Sequence, residues 1–127
     1  MRAKLIGVIL VAVVAVSFAV ACMLVVEHAV GQVEKLSMEA QDLVEQGKTE
    51  DAIAKMTQLA LEWKRHQQFL ELLVSHDEMH AVIERYTEAE VNLKRDHLDD
   101  YFKSMALLQE MLDHIRDQEK VRWGNVL

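Results

Sequence analysis

The sequence predicts an all-α protein in which an N-terminal transmembrane helix continues into an up-and-down bundle of about four helices. Three observations support this prediction. Residues 5–26 form an apolar run without a charged side chain, and the chain contains no proline. From residue 26 onward, apolar residues recur at alternating steps of three and four, which is typical of helices with one buried face. The length of 127 residues leaves room for one small domain beside the membrane helix.

Charge is divided unequally along the chain. The first 26 residues contain only Arg2 and Lys4 as charged groups and carry +2, whereas residues 27–127 hold 12 basic and 21 acidic residues and carry −9. Such an acidic domain repels a phosphate backbone, so we expect no nucleic-acid partner. The single cysteine and the four scattered glycines exclude a disulfide scaffold and a collagen.

Residues 5–26 are expected to cross the cell membrane once. A helix of this length is about 33 Å long, which exceeds the roughly 30 Å of a hydrocarbon core. Arg2 and Lys4 precede the span and Glu27 follows it. By the positive-inside rule, residues 1–4 would be cytoplasmic and residues 27–127 would form an acidic helical domain outside the membrane.

The segment Ala19-Val20-Ala21-Cys22 leaves other forms of anchoring open. It resembles a permissive lipobox, in which Cys22 would be lipidated and become the first residue of the mature protein, and it loosely fits a signal-peptide cleavage site. The apolar run continues through residues 23–26, where a lipoprotein usually becomes polar. An uncleaved anchor is therefore favoured, and Cys22 is a candidate lipidation residue.

Four apolar stripes predict the helices beyond the membrane. The first stripe continues the membrane helix outward to Gly47, a residue typical of helix C-caps. The second helix is expected to begin through Thr49, the third through a capping box of Ser75 and Glu78, and the fourth through Asp96. The predicted core includes Trp63, Leu70, Tyr86 and Leu112.

The third and fourth stripes leave two architectures open, because Lys94-Arg95-Asp96 contains neither glycine nor proline. One continuous helix over residues 76–122 would be about 70 Å long, and the two preceding helices could cover only half of it. We therefore expect a break near residues 94–96 and a compact bundle. The alternative is an elongated helical hairpin that buries its far end against a second copy or a partner. No convincing internal repeat is found in the sequence.

His76 and His80 are candidate metal ligands, because a separation of four residues places two imidazoles one helical turn apart. Two imidazoles alone bind a metal weakly, and no spacing selects a third ligand from His66, His97 or His114. Capping and partly buried polar roles are therefore favoured over a metal site. We expect no metal and no cofactor.

The sequence predicts no catalytic residue and hence no enzyme. None of the four serines has the glycine-rich surroundings of a hydrolase nucleophile, and no Glu-x-x-His pair is present for a carboxylate-bridged metal site. We expect a non-enzymatic membrane protein whose acidic domain binds another envelope protein or itself. The alternative is an extracytoplasmic ligand-binding or metal-binding domain of the sensor or carrier kind.

Several short motifs carry a resemblance to a known family. They are Trp63, the Leu72-x-x-x-His76-x-Glu78 turn, His114-Ile115 followed by Glu119, and the ending Asn125-Val126-Leu127. With these residues the chain resembles a family of small uncharacterised proteins of Gram-positive bacteria. The resemblance implies one N-terminal membrane helix, an extracytoplasmic helical domain of unknown function and no assigned catalytic residues.

Overall fold

A computed structural model describes residues 1–125 of the chain, and these residues form four α-helices. Val126 and Leu127, which end the last motif of the resemblance, lie outside the described residues. The helices are α1 (Arg2–Glu45), α2 (Thr49–Leu70), α3 (His76–Lys94) and α4 (Leu98–Gly124).

Short turns connect the helices, so that each helix runs antiparallel to the one before it. α1 packs against α2 and α4, and α3 packs against the same two helices. This ring of neighbours is an up-and-down four-helix bundle, and the predicted fold class is confirmed. The expected break between the third and fourth helices is confirmed as well, since α3 ends at Lys94 and α4 begins at Leu98.

The hydrophobic core runs along the centre of the bundle and receives one stripe from each helix. The predicted core residues Trp63, Leu70, Tyr86 and Leu112 are all buried. α1 contributes buried residues only from Ala19 onward. The preceding part of α1 exposes its large apolar side chains, and this helix is long and apolar enough to cross a membrane.

Two of the three turns have the same backbone structure. Gly47 and Asp96 each follow a helix in the left-handed conformation, with φ of 77° and 60°. In both turns the next residue donates its backbone N–H to the carbonyl five residues earlier, at 2.8 and 2.9 Å. This is the Schellman arrangement, which satisfies carbonyls at the end of a helix.

The predicted start of α2 at Thr49 is confirmed, although Thr49 is not its N-cap, and the predicted start of α4 at Asp96 is wrong. Thr49 is the first residue of α2 and Lys48 its N-cap, while α4 has His97 as N-cap. In neither case does the capping side chain accept a hydrogen bond. Asp96 does not cap α4 because it adopts the left-handed conformation that closes α3, which a short polar side chain tolerates better than most.

The two helical hairpins bury their residues in the same pattern, although the sequence analysis found no repeat. Each position that α1 and α2 bury between residues 30 and 70 has a buried counterpart 49 residues later, in α3 or α4. The repeat is not visible in the sequence, because the paired positions are all buried but mostly hold different residue types. The pairs are Val30 with Met79, Val33 with Val82, Ser37 with Tyr86, Ala40 with Ala89, Val44 with Leu93, Ala52 with Tyr101, Met56 with Met105, Leu59 with Leu108, Trp63 with Leu112 and Leu70 with Glu119.

Candidate functional site

The two histidines of the candidate metal site lie at the start of α3 and are exposed. The rings of His76 and His80 meet edge to face, with their centroids 4.6 Å apart. Within residues 1–125, no three His, Cys, Asp or Glu side chains come close enough together to hold a metal ion. Of the possible third ligands, His114 lies beside Glu78, and His66 Nε2 donates a hydrogen bond to the Glu62 carboxylate at 3.0 Å.

The predicted capping box at the start of α3 is formed in part. The Ser75 hydroxyl oxygen accepts a hydrogen bond from the backbone N–H of Glu78 at 3.2 Å. The Glu78 carboxylate lies 3.4 Å from His114 Nε2 on α4. Glu78 therefore joins the first turn of α3 to the neighbouring helix.

Cys22 lies inside α1, on the side that faces the bundle. Its side chain is buried, and the thiol is free. A small cavity of about 240 Å³ lies near it between α1 and α4, with Met23, Val26 and Glu119 among the lining residues. In the folded bundle the thiol is covered by protein.

A cluster of charged side chains joins α1 to α4 beyond the apolar segment. Arg116 Nε donates to Glu27 at 2.8 Å, and its Nη1 donates to Glu34 at 3.2 Å and to Asp113 at 3.3 Å. Gln109 donates to the same Glu34 oxygen at 2.7 Å. Because the Arg116 side chain is only 19% exposed, this guanidinium acts as a partly buried bridge between the two helices.

The surroundings of Glu34 favour its charged form. The hydrogen bond from Gln109 lowers the pKa of Glu34, burial acts in the opposite direction, and the bond and charge of Arg116 lower the pKa further. The carboxylate is therefore ionised at neutral pH and fixed between two donors of α4. This arrangement joins α1 to α4 and supports their packing.

The last turns of α4 contain a buried acid, Glu119, which belongs to a motif of the family resemblance but was not predicted to lie in the core. Glu119 is 5% exposed and occupies the core position that corresponds to Leu70 in the first hairpin. Trp123 Nε1 donates to Glu119 at 2.6 Å, and Arg122 Nη1 donates to it at 3.3 Å. The spacing of the buried residues Leu112 and Ile115 continues to position 119, but a single acid at such a position does not by itself predict burial.

Trp123 also links the end of α4 to the apolar part of α1. Its ring meets the ring of Phe18 edge to face, with the centroids 6.4 Å apart. Arg122 donates a hydrogen bond to the backbone carbonyl of Leu73 in the turn between α2 and α3. The end of α4, the turn after α2 and the apolar segment of α1 thus meet at one end of the bundle.

These features define a class of protein: a four-helix bundle whose first helix extends beyond the bundle as an apolar segment. Residues 21–126 match the model of the DUF4363 family, described as a domain of unknown function. The chain therefore belongs to this family, and the expected membership of an uncharacterised family is confirmed. No curated protein and no solved structure matches the chain.

Proposed function

We propose that the chain is a non-enzymatic, single-pass membrane protein whose acidic helical domain stands outside the cytoplasmic membrane and binds another envelope protein or itself. The observation that carries this proposal is the exposed apolar surface at the start of α1. Surface of this kind is stable when lipid covers it. The exposed side chains are Leu5, Ile6, Val8, Ile9, Leu10, Val11, Val13, Val14, Val16 and Phe18.

The proposed orientation follows from charge. Arg2 and Lys4 flank the start of the apolar segment, whereas the domain after it carries −9. Basic residues close to a span favour the cytoplasmic side. The resemblance to proteins of Gram-positive bacteria supports the cell envelope of such an organism as the setting.

The proposed binding role is supported by how the charged residues of the bundle are used. Arg116 joins α1 to α4, and Lys55 pairs with Glu39 at 2.9 Å between α2 and α1. These groups hold the helices together, while the remaining acidic surface faces outward. A rigid acidic surface suits recognition of a basic partner surface.

Topology and anchoring are tested together in bacterial cells. We expect an alkaline phosphatase fused after Leu127 to be active and a cytoplasmic reporter at the same site to be inactive. The opposite pair of results would overturn the orientation.

We also expect the chain to stay in the membrane pellet after an alkaline wash, with Cys22→Ala behaving like the wild type. Release of Cys22→Ala, or labelled fatty acid on Cys22, would favour the lipoprotein alternative.

Binding is tested by photo-crosslinking in membranes. A photoreactive residue placed at exposed positions of α2 and α3 should yield a discrete adduct, either with one envelope protein or with a second copy of the chain. Uniform absence of adducts from all exposed helix faces would contradict the binding role.

A further inference from the structure

We propose that one end of the bundle is embedded in the outer lipid–water interface, with Trp123 at the level of the acyl chains. This bundle base consists of Phe69 and Leu72 near the turn after α2, together with Val121 and Trp123 at the end of α4. The inference rests on the proposed insertion of α1 into a membrane. It adds that lipid also contacts the folded domain.

The position of the bundle base along α1 supports this inference. The Phe18–Trp123 pair places the end of α4 beside Phe18, which lies eight residues before the end of the apolar run at Val26. At 1.5 Å per residue, this is about 12 Å inside the run. A hydrocarbon layer of roughly 30 Å that begins at Leu5 would extend to about residue 24. The end of α4 therefore lies within the depth that the layer occupies.

The bundle base exposes large apolar side chains. Leu72 is 79% exposed and Val121 is 65% exposed, and Phe69 is exposed as well. The hydrogen bond from Arg122 to the Leu73 carbonyl holds the two chain segments together at this end. Large apolar side chains exposed on two segments that are held together indicate a contact surface.

The polar groups of Trp123 and Glu119 at the bundle base are paired within the protein. Trp123 turns its ring to Phe18 and its N–H to Glu119, so both parts of the indole have partners. Glu119, at 5% exposure, receives hydrogen bonds from Trp123 and Arg122. A carboxylate placed away from water requires such donors. Tryptophan is the residue that membrane proteins place at the lipid–water boundary.

Continuity identifies lipid as the occupant. The bundle base adjoins the exposed apolar surface of α1 through the Phe18–Trp123 pair. A bilayer that covers Phe18 therefore reaches Trp123 without a gap. Lys120 is exposed on the same turns of α4, where a long basic side chain can extend toward lipid phosphates.

The two tryptophans of the chain permit a direct test of depth. In Trp63→Phe, Trp123 is the single tryptophan, and in Trp123→Phe the buried Trp63 serves as the matched control. The full-length variants are reconstituted into phosphatidylglycerol and phosphatidylethanolamine vesicles that contain acyl-brominated lipid, and are isolated by flotation after an alkaline wash. We expect strong loss of Trp123 emission with the brominated lipid and little loss with aqueous iodide. Trp63 emission should change little with either quencher.

A second measurement avoids changes at the core. Leu72→Cys and the control Met38→Cys, both at exposed positions, are labelled with a polarity-sensitive fluorophore in the Cys22→Ala chain. We expect blue-shifted, bromolipid-quenched emission at position 72 and water-like emission at position 38. Met38 lies 12 residues beyond Val26, about 18 Å further along α1.

The outcomes separate this inference from the proposed function. Failure of the wild-type chain to float after the wash would overturn membrane insertion, and the inference with it. The inference alone would be overturned if the chain floated but the emission of Trp123 and of the label at position 72 were quenched by iodide and not by brominated lipid. Protection of position 72 from both quenchers, together with a crosslinked protein at that position, would replace lipid by a protein contact.

Discussion

At the scale of single residues, the core contains polar atoms without partners. Trp63 Nε1 and the hydroxyls of Tyr86 and Tyr101 are buried and lack a hydrogen-bond partner among the described residues. A buried donor left unbonded costs about 1–3 kcal/mol of stability. Burial also raises the pKa of Tyr101 to about 12. The rings of these three side chains fill the core.

Tyr101→Phe should therefore stabilise the fold at neutral pH, by up to about 1 kcal/mol, because it removes a buried hydroxyl without partners and keeps the ring. The gain should increase above about pH 10, where tyrosine in the unfolded chain ionises while folded Tyr101 stays protonated. Urea unfolding of the detergent-solubilised chain at pH 7 and pH 11 measures both effects. A less stable variant would show that the hydroxyl has a partner in solution.

Trp63 allows a matched pair of substitutions. Trp63→Ala should cost about 3–5 kcal/mol because it leaves a cavity in the core, whereas Trp63→Phe should cost clearly less since it keeps an aromatic ring and removes the unpaired N–H. Chemical unfolding followed by circular dichroism gives both values. Equal effects of the two substitutions would contradict the packing role of the indole.

At the scale of helices and turns, the two Schellman turns differ in one informative residue. Gly47 suits its positive φ, whereas Asp96 adopts a conformation that L-residues avoid by about 1–2 kcal/mol. A Cβ atom at position 47 would meet no other atom within 4 Å, so an effect of substitution there arises from the backbone conformation alone.

We expect Gly47→Ala to destabilise the fold by about 1 kcal/mol and Asp96→Gly to stabilise it by up to a similar amount. The two opposite shifts in thermal unfolding midpoint test the equivalence of the turns. A loss of stability in Asp96→Gly would mean that the aspartate side chain contributes to the turn.

The stability that the contact between α1 and α4 gives to the fold should depend on pH. The pKa of Glu34 is lowered in the folded chain, mainly by the hydrogen bond from Gln109. Its stabilising effect is therefore complete above the ordinary glutamate pKa of about 4.3 and is lost as the pH falls through the lower folded value. Glu34→Gln should be less stable than the wild type at pH 7, and the difference should shrink in this acid range.

The exposed Glu110 on α4 provides the control for this experiment. Glu110→Gln should keep the acid dependence of the wild type in unfolding curves recorded from pH 7 down to pH 3. If Glu34→Gln also kept it, the cluster around Arg116 would not contribute to the pH dependence of stability.

Most of the helix boundaries could be read from the sequence, because apolar spacing and caps are local signals. The same spacing placed Trp63 and Leu112 on apolar stripes. The charged cluster around Arg116 could not be predicted, since it joins residues from opposite ends of the chain. Glu119 was missed because its burial depends on Trp123 and Arg122, whose positions follow only from the folded bundle.

At the scale of the whole molecule, the two hairpins share one core. Buried residues from all four helices form a single hydrophobic cluster. A two-helix hairpin alone would leave its apolar stripes in contact with water, so neither hairpin is expected to be stable by itself. The repeat of 49 residues is thus a repeat of burial pattern within one folding unit.

We therefore expect the bundle to unfold in one cooperative step. In the Trp123→Phe variant, Trp63 fluorescence reports on the first hairpin, while circular dichroism reports on all helices. The two unfolding curves should coincide in urea. Separate midpoints would show that the hairpins unfold independently.

Because α1 runs unbroken from Arg2 to Glu45, the proposed membrane anchor and the domain form one rigid unit. A domain on a flexible linker can move independently of its membrane helix. This bundle shares α1 with the proposed membrane helix, so the two would tilt and rotate together. Its far turns stand about 30 Å beyond Val26, by the rise of 1.5 Å per residue. In the proposed orientation, a partner would need a contact surface within that height of the lipid, facing a side of the bundle that rotation of α1 about the membrane normal can present.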